Sequence, residues 1–474
     1  MNEYTDSARR PSLRDVLREV LREHPAVADA EVHAGPDGER VVARVVPDPE
    51  TAALLHRSAV LQATGRLGPL RWHEPADGLR VAGLNRGETD FLYREIFTGH
   101  AYFRHGIGLP PGAIVVDAGA NIGMFTLRAA LESPGARIIA VEPLTELADA
   151  IEVNAELHGV DVTVLRTAIG GEEGKTEFTF YPHNSVMSGK FADPHEDFEV
   201  LKGYLLTGDG SERSAPLDRL VVDRMAAEHR SVPVTTLDRV AEEYGLTRID
   251  LLKIDVERAE EEALEGIGDA LWPRIDRLVM EVHDIDGRLD AVLGRLRAEG
   301  FEVAHDQDPR MALTSCHNVY ARRPGAAGPS RPAGVPRFGD GPTLRVLERE
   351  LRELLARRLP TAAAPGRFEV VPDLGQEAED RPGPSASPGS VATSRTAVLA
   401  GIWRELFGAE AVRPDADFFD LGGDSLTAVR LLARVEERLG EDALSPDLIF
   451  TDGTLGALAA AIEASAPSGS EEHA

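Results

Sequence analysis

The run Val115-Val-Asp-Ala-Gly-Ala-Asn-Ile-Gly123 constrains this chain most, because it reads as a buried strand that enters a glycine-marked turn and leaves it as a helix. Apolar residues from Ala113 to Val116 suit a central parallel strand, Gly119 and Gly123 permit a tight turn with close backbone approach, and Met124 to Ala130 supply the helix. A second apolar strand, Arg137-Ile-Ile-Ala-Val-Glu142, ends in a carboxylate about 20 residues beyond the turn, where α/β nucleoside sites place the acceptor for ribose hydroxyls.

What the loop lacks decides which nucleoside it suits. A dinucleotide turn reads G-x-G-x-x-G and turns helix amides toward a pyrophosphate, whereas this one reads Gly119-Ala-Asn-Ile-Gly123 with Asp117 just before it. A carboxylate there repels phosphate and welcomes a cation. S-adenosylmethionine carries a sulfonium, an ammonium and a ribose diol but no phosphate, so Asp117, Gly119, Gly123 and Glu142 are expected to hold it.

With 474 residues the chain has room for about three domains. Its formal net charge of −29 argues against nucleic acid and anionic membrane as partners. The single cysteine, Cys316, excludes an internal disulfide framework, and no Cys/His cluster has zinc spacing. The polar start and the lack of an 18-residue apolar run predict neither signal peptide nor membrane anchor, hence a cytoplasmic protein.

Proline, glycine and small residues mark linkers at 324–342 and 376–394. Residues 12–50 read as a helix and two strands joined by Gly35-Pro-Asp-Gly38; residues 343–375 read as a helix and a strand. Each piece is too small to fold alone, so the two are expected to make one α+β unit with residues 75–323 inserted between them. The segments VLREHPAVADAEVHAGPDGERVVARVVPD and LERELRELLARRLPTAAAPGRFEVVPDL resemble the C-terminal subdomain of nonribosomal peptide synthetase adenylation domains. The Asn-Gly-Lys ending of that family is absent, which implies a remnant that does not adenylate and an adenylation enzyme acting in trans.

Residues 75–323 resemble FkbM-family methyltransferases in seven ordered pieces: NRGETDFLYREIF, VVDAGANIGMFTLRAA, VEP, TAIG, HNSVMSG, LLKIDVERAEEEAL and LVMEVHD. The resemblance implies a class I, Rossmann-like α/β fold with a mixed seven-stranded sheet and O-methylation from S-adenosylmethionine. Strands are predicted near 113–118, 137–142, 162–166, 249–255 and 276–282, with a terminal hairpin from 301–305 and 317–322. The matching pieces add Asn121, Ala168, Ile169, Ser185, Glu88, Thr89 and Tyr93 to the expected cofactor contacts. The family writes glycine where this chain has Arg258.

A hydroxyl acceptor must lose a proton, which an imidazole or carboxylate at the strand ends can take. His283 is the expected base, with Asp255 as its orienting or alternative partner and His183 third, on a loop over the cleft. Asp255 and Glu257 could share a cation with Asp284, but acids are common in this chain and no metal is expected.

Residues 395–465 carry DFFDLGGDSLTAVRLLARVEERLG with amphipathic helices on either side, the pattern of a small helical bundle. The segment resembles peptidyl carrier proteins, all-α four-helix domains. The resemblance implies that Ser425, with Asp424 before it, receives 4′-phosphopantetheine from a phosphopantetheinyl transferase, and that other synthetase modules are partners. A linker of roughly 20 residues reaches ~25 Å as a random coil, enough for the carrier to swing. The expected reaction is O-methylation of a serine-like side chain tethered to a carrier; a free small molecule or carboxylate as acceptor, and a non-catalytic docking module, stay open.

Overall fold

The computed structural model describes residues 12–34, 41–192, 227–308, 314–326, 341–359, 364–375 and 394–464, apart from 415, 420, 424, 441, 442, 446, 447, 450 and 451. The turn expected at Gly35–Gly38 and most of both expected linkers lie outside these residues. The chain forms two compact units.

The smaller unit takes the described residues of Met1–Ala82, Val153–Val160 and Arg337–Arg381. Its first helix, Leu13–Arg22, starts at a capping box in which Asp15 N–H donates to the Ser12 hydroxyl (3.3 Å) and Ser12 N–H donates to the Asp15 carboxylate (2.9 Å). Strand Val41–Pro47 pairs antiparallel with Val27–Ala34 and parallel with Arg367–Val370. Leu17 and Leu21 from the first helix, Ala43 and Val45 from the strands, and Leu347, Leu351 and Leu355 from helix Leu344–Arg358 share one core. Residues more than 300 positions apart in sequence are thus mutually dependent for burial.

The larger unit is organised by a seven-stranded sheet. Across it lie Glu302–Asp306, Cys316–Arg322, Arg277–His283, Leu251–Ile254, Ile114–Ala118, Arg137–Val141 and Val162–Leu165. Only Cys316–Arg322 runs against the rest, which makes the sheet mixed as expected. Val116, Ile139, Leu252, Ile254, Leu278 and Met280 are buried in one core, as central parallel strands covered on both faces require. The order reverses between Ile114–Ala118 and Leu251–Ile254, so the carboxyl ends of these two strands open the crevice where such sheets bind ligands.

A second, three-stranded sheet of Ala168–Ile169, Glu228–Thr235 and Gly174–Phe180 was not part of the sequence expectation. Its first strand is two residues long, too short for periodicity to register.

In the carrier segment, helices Ser394–Phe407, Ser425–Leu439 and Leu455–Ala464 enclose Leu399, Ile402, Trp403, Phe418, Leu432, Val435 and Leu458. Of the four helices expected, these three are complete among the described residues; Leu448 and Ile449 are helical, but residues beside them lie outside that set. No described helix is long and apolar enough to cross a membrane.

Candidate functional site

The carboxyl ends of the central strands border a cavity of about 860 Å³, at the upper end of the size of ligand pockets. Gly119 makes it possible. Its φ of +78° is in the left-handed region, and a Cβ there would stand 1.7 Å from the Asp255 carbonyl oxygen, so the two strand ends meet backbone to backbone. Asn121 follows with φ +50°, a conformation that asparagine tolerates better than most residues. Glu142, 5% exposed, accepts from Asn121 N–H (2.9 Å) and Leu144 N–H (3.0 Å). Burial, partly offset by those two bonds, pushes its carboxyl up to about 7.

Also along the lining is helix Arg86–Tyr93, capped by Asn85, which accepts from Glu88 N–H (3.0 Å). Glu88 in turn accepts from Ser185 N–H (2.9 Å) and from the Ser185 hydroxyl, which ties this helix to the Asn184–Ser188 stretch. Carboxylates outnumber cationic side chains along the cavity, and Phe91, Leu144, Leu147 and Ile169 give it an apolar wall. That donor set fits a cationic nucleoside without phosphate.

Gly119, Asn121, Glu142, Ala168, Ile169, Glu88, Ser185, Asp255 and His283 all line the cavity. Five expected site residues do not. Asp117 is fully buried beneath the turn, where it accepts from the Thr126 hydroxyl (2.7 Å) and pairs with Lys253 (3.2 Å); period-two alternation turns it away from the ligand face. Gly123 serves the fold, opening helix Met124–Glu132 at φ +82° against Ile151. Thr89 and Tyr93 sit four apart on a helix face that is not the one carrying Glu88 and Phe91: Thr89 is fully buried and donates to Asn85 C=O, and Tyr93 stacks on Phe97. His183 stops one residue short of the lining stretch.

His283, also in the lining, is held by a chain of charges. Its Nδ1 is 2.7 Å from the carboxylate of Glu260, which is buried and also accepts from Arg288 (2.8 Å). Its Nε2 lies 3.5 Å from Glu257. Asp255 is already engaged, accepting from the Tyr102 hydroxyl (2.9 Å) and pairing with Lys253 (3.2 Å). Burial, then the charge of Glu281, raises the Glu257 carboxyl well above the usual range; burial, then Asp255, does the same to Glu281. Glu257, Glu281 and His283 offer ligand atoms within 4.8 Å of one another, a spacing that a divalent cation could gather. Asp284 is not in that group; it accepts from Leu289 N–H and so serves the next helix.

Sequence reasoning missed Glu281, Glu260, Tyr102 and Lys253. For two of them a signal was present, since Lys253 and Glu281 are lone charges inside otherwise apolar strands, and such charges need partners. Arg258, where the resembling family has glycine, adopts φ +68°. A non-glycine residue there is strained, so Arg258→Gly is expected to raise folding stability by about 0.5–1 kcal/mol despite losing the bond from Arg258 Nη1 to Phe191 C=O (3.2 Å). Denaturant midpoints check this; an unchanged or lower midpoint refutes the strain.

Residues 117–303 match the family described as methyltransferase FkbM domain, and residues 397–462 match the phosphopantetheine attachment site. The chain is 44% identical over 253 residues to 31-O-demethyl-FK506 methyltransferase FkbM of Streptomyces tacrolimicus, covering 52% of this chain and 95% of that one. It is 31% identical over 245 residues to methyltransferase sdnD of Sordaria araneosa, covering 49% of this chain and 89% of that one. It is also 36% identical over 457 residues to the AMB antimetabolite synthetase AmbE of Pseudomonas aeruginosa, covering 89% of this chain but spanning only 21% of the synthetase.

Proposed function

We propose that this chain, which belongs to the FkbM family of methyltransferases and carries a phosphopantetheine attachment domain, methylates a hydroxyl on cargo tethered to its own carrier, a serine-like side chain being the preferred acceptor. One observation carries the reading: Phe419, Gly422 and Gly423 of the carrier segment line the same cavity as Glu142 and His283, and the helix that follows begins at Ser425.

S-adenosylmethionine supplies an electrophilic methyl group when bound. Glu142 would accept from its ribose hydroxyls, while Gly119 and Asn121 bring backbone close to it. His283 Nε2 would take the proton that the acceptor hydroxyl loses on receiving the methyl group, and Glu260 would keep Nδ1 protonated and the ring aligned. Asp255, with Tyr102 and Lys253 upon it, is better suited to shaping the cavity than to taking the proton. In-line alignment itself can supply up to ~7–11 kcal/mol of the barrier reduction, so a tethered acceptor suits this chemistry.

The smaller unit is proposed to be an adenylation-type C-terminal remnant without adenylating activity, a reading supported by its helix–sheet make-up and by the synthetase relative. Partners would then be an adenylation enzyme in trans, a phosphopantetheinyl transferase and further synthetase modules, in the cytoplasm.

Intact-protein mass spectrometry tests the acceptor. After Ser425 is loaded with hydroxy-aminoacyl pantetheine, cofactor should add one CH2 mass to the tethered form. Methylation of the free hydroxy acid alone would overturn the tethering claim.

A further inference from the structure

We infer that Arg86 is a docking clamp that seats the carrier on the methyltransferase in cis; this rests on the tethered-cargo reading above. Arg86 Nη1 lies 3.1 Å from Asp417 of the carrier loop, and its guanidinium stands 5.8 Å from the centroid of Phe419. On its other side Asp90 is 3.6 Å away, so the arginine bridges an acid of its own helix and an acid of the carrier. In a chain with net charge −29, one acid from each side meets a cation at this contact. A second contact is apolar: Tyr181 is buried in the carrier's own core cluster, and Met187 packs against it.

The loop so gripped leads directly to the modification point. Asp417 accepts from Phe419 N–H (2.9 Å), Gly422 turns at φ +86°, and a Cβ on Gly423 would meet the Phe418 ring at 2.4 Å, so the described residues of this loop are packed tightly. Both elements touched by the carrier also form the cavity. Arg86 shares its helix with Glu88, and Met187 belongs to the stretch whose Ser185 is bonded to Glu88. The carrier thus rests on two elements that also carry cavity residues, which puts its loop beside the cavity without Arg86 or Asp417 lining it.

Arg86 and Asp417 do not line the cavity, which allows docking to be separated from chemistry. In the full chain, Arg86→Glu and Asp417→Arg are each expected to slow methylation of Ser425-tethered cargo about tenfold, with methylation of the same acid as a free pantetheine thioester unchanged. The double exchange should restore the tethered rate. Small-angle scattering gives a readout independent of chemistry: each single reversal should enlarge the radius of gyration and the double exchange should return it. Wild-type rates and dimensions in the single variants, or no recovery in the double variant, would overturn the clamp. If the unaltered protein methylates neither form of cargo while scattering responds as expected, the clamp stands and the tethered-cargo reading fails.

Discussion

Lys253→Met is expected to destabilise the methyltransferase by about 3–5 kcal/mol, a large share of the ~5–15 kcal/mol that usually holds a protein folded. Lys253 is 3% exposed and its ammonium lies 3.2 Å from Asp117, 3.2 Å from Asp255 and 2.6 Å from the Gly119 carbonyl. The rings of Tyr102 and Phe125 stand 5.4 and 5.8 Å away, which adds cation–π attraction at a buried site. Burial alone would lower its basicity, but Asp117 and then Asp255 outweigh burial and raise it. A raised lysine contributes stability that is complete below its unfolded-state value near 10.5 and is lost only as pH climbs through the higher folded value, so the contribution is whole at neutral pH. Methionine keeps most of the volume but leaves two carboxylates at adjacent strand ends without their counterion. Asp117→Asn in the same chain should recover part of the loss by removing one of the two stranded charges. Urea unfolding of the three proteins checks this; equal midpoints for wild type and Lys253→Met would show that the triad is not held by charge.

That triad also marks where the sequence stops being legible. The strand pattern of the seven-stranded sheet, the glycine turn and the Glu142 position follow from local apolar runs and spacing, because a buried parallel strand must be apolar throughout. Asp117 shows the limit: its spacing from the turn suggested a ligand contact, yet Lys253, 136 positions later, claims it from the neighbouring strand. Thr89 and Tyr93 were drawn in by the motif around them, whereas helix geometry gives the cavity Glu88 and Phe91 and turns those two away. The Glu260–His283 pair joins a helix to a strand, and the Arg86–Asp417 pair joins residues 331 apart. Contacts of this kind depend on how elements are stacked, which no local periodicity encodes.

His283→Gln is expected to lower the methyl-transfer rate by about 10²–10⁴ while leaving cofactor affinity near wild type, the range for a positioned general base. Glutamine can still donate to Glu260 and keep the local packing, but it offers no basic nitrogen toward the acceptor. Glu260→Gln should cost less, about tenfold, because the base remains and only its alignment and tautomer are loosened. Glu257 sits 3.5 Å from Nε2, too far for a strong hydrogen bond, so that nitrogen is available to a hydroxyl in the cavity. The same three side chains that could gather a cation give a rival role for His283, and chelation separates the two. Single-turnover rates at saturating cofactor, with and without chelator, are the measurement, with calorimetry for cofactor binding. A base predicts a chelator-insensitive wild-type rate and the stated loss in His283→Gln; a rate that falls with chelator and returns with a divalent cation would make His283 a ligand, and an unchanged rate in His283→Gln would move the base to Glu257 or Glu281.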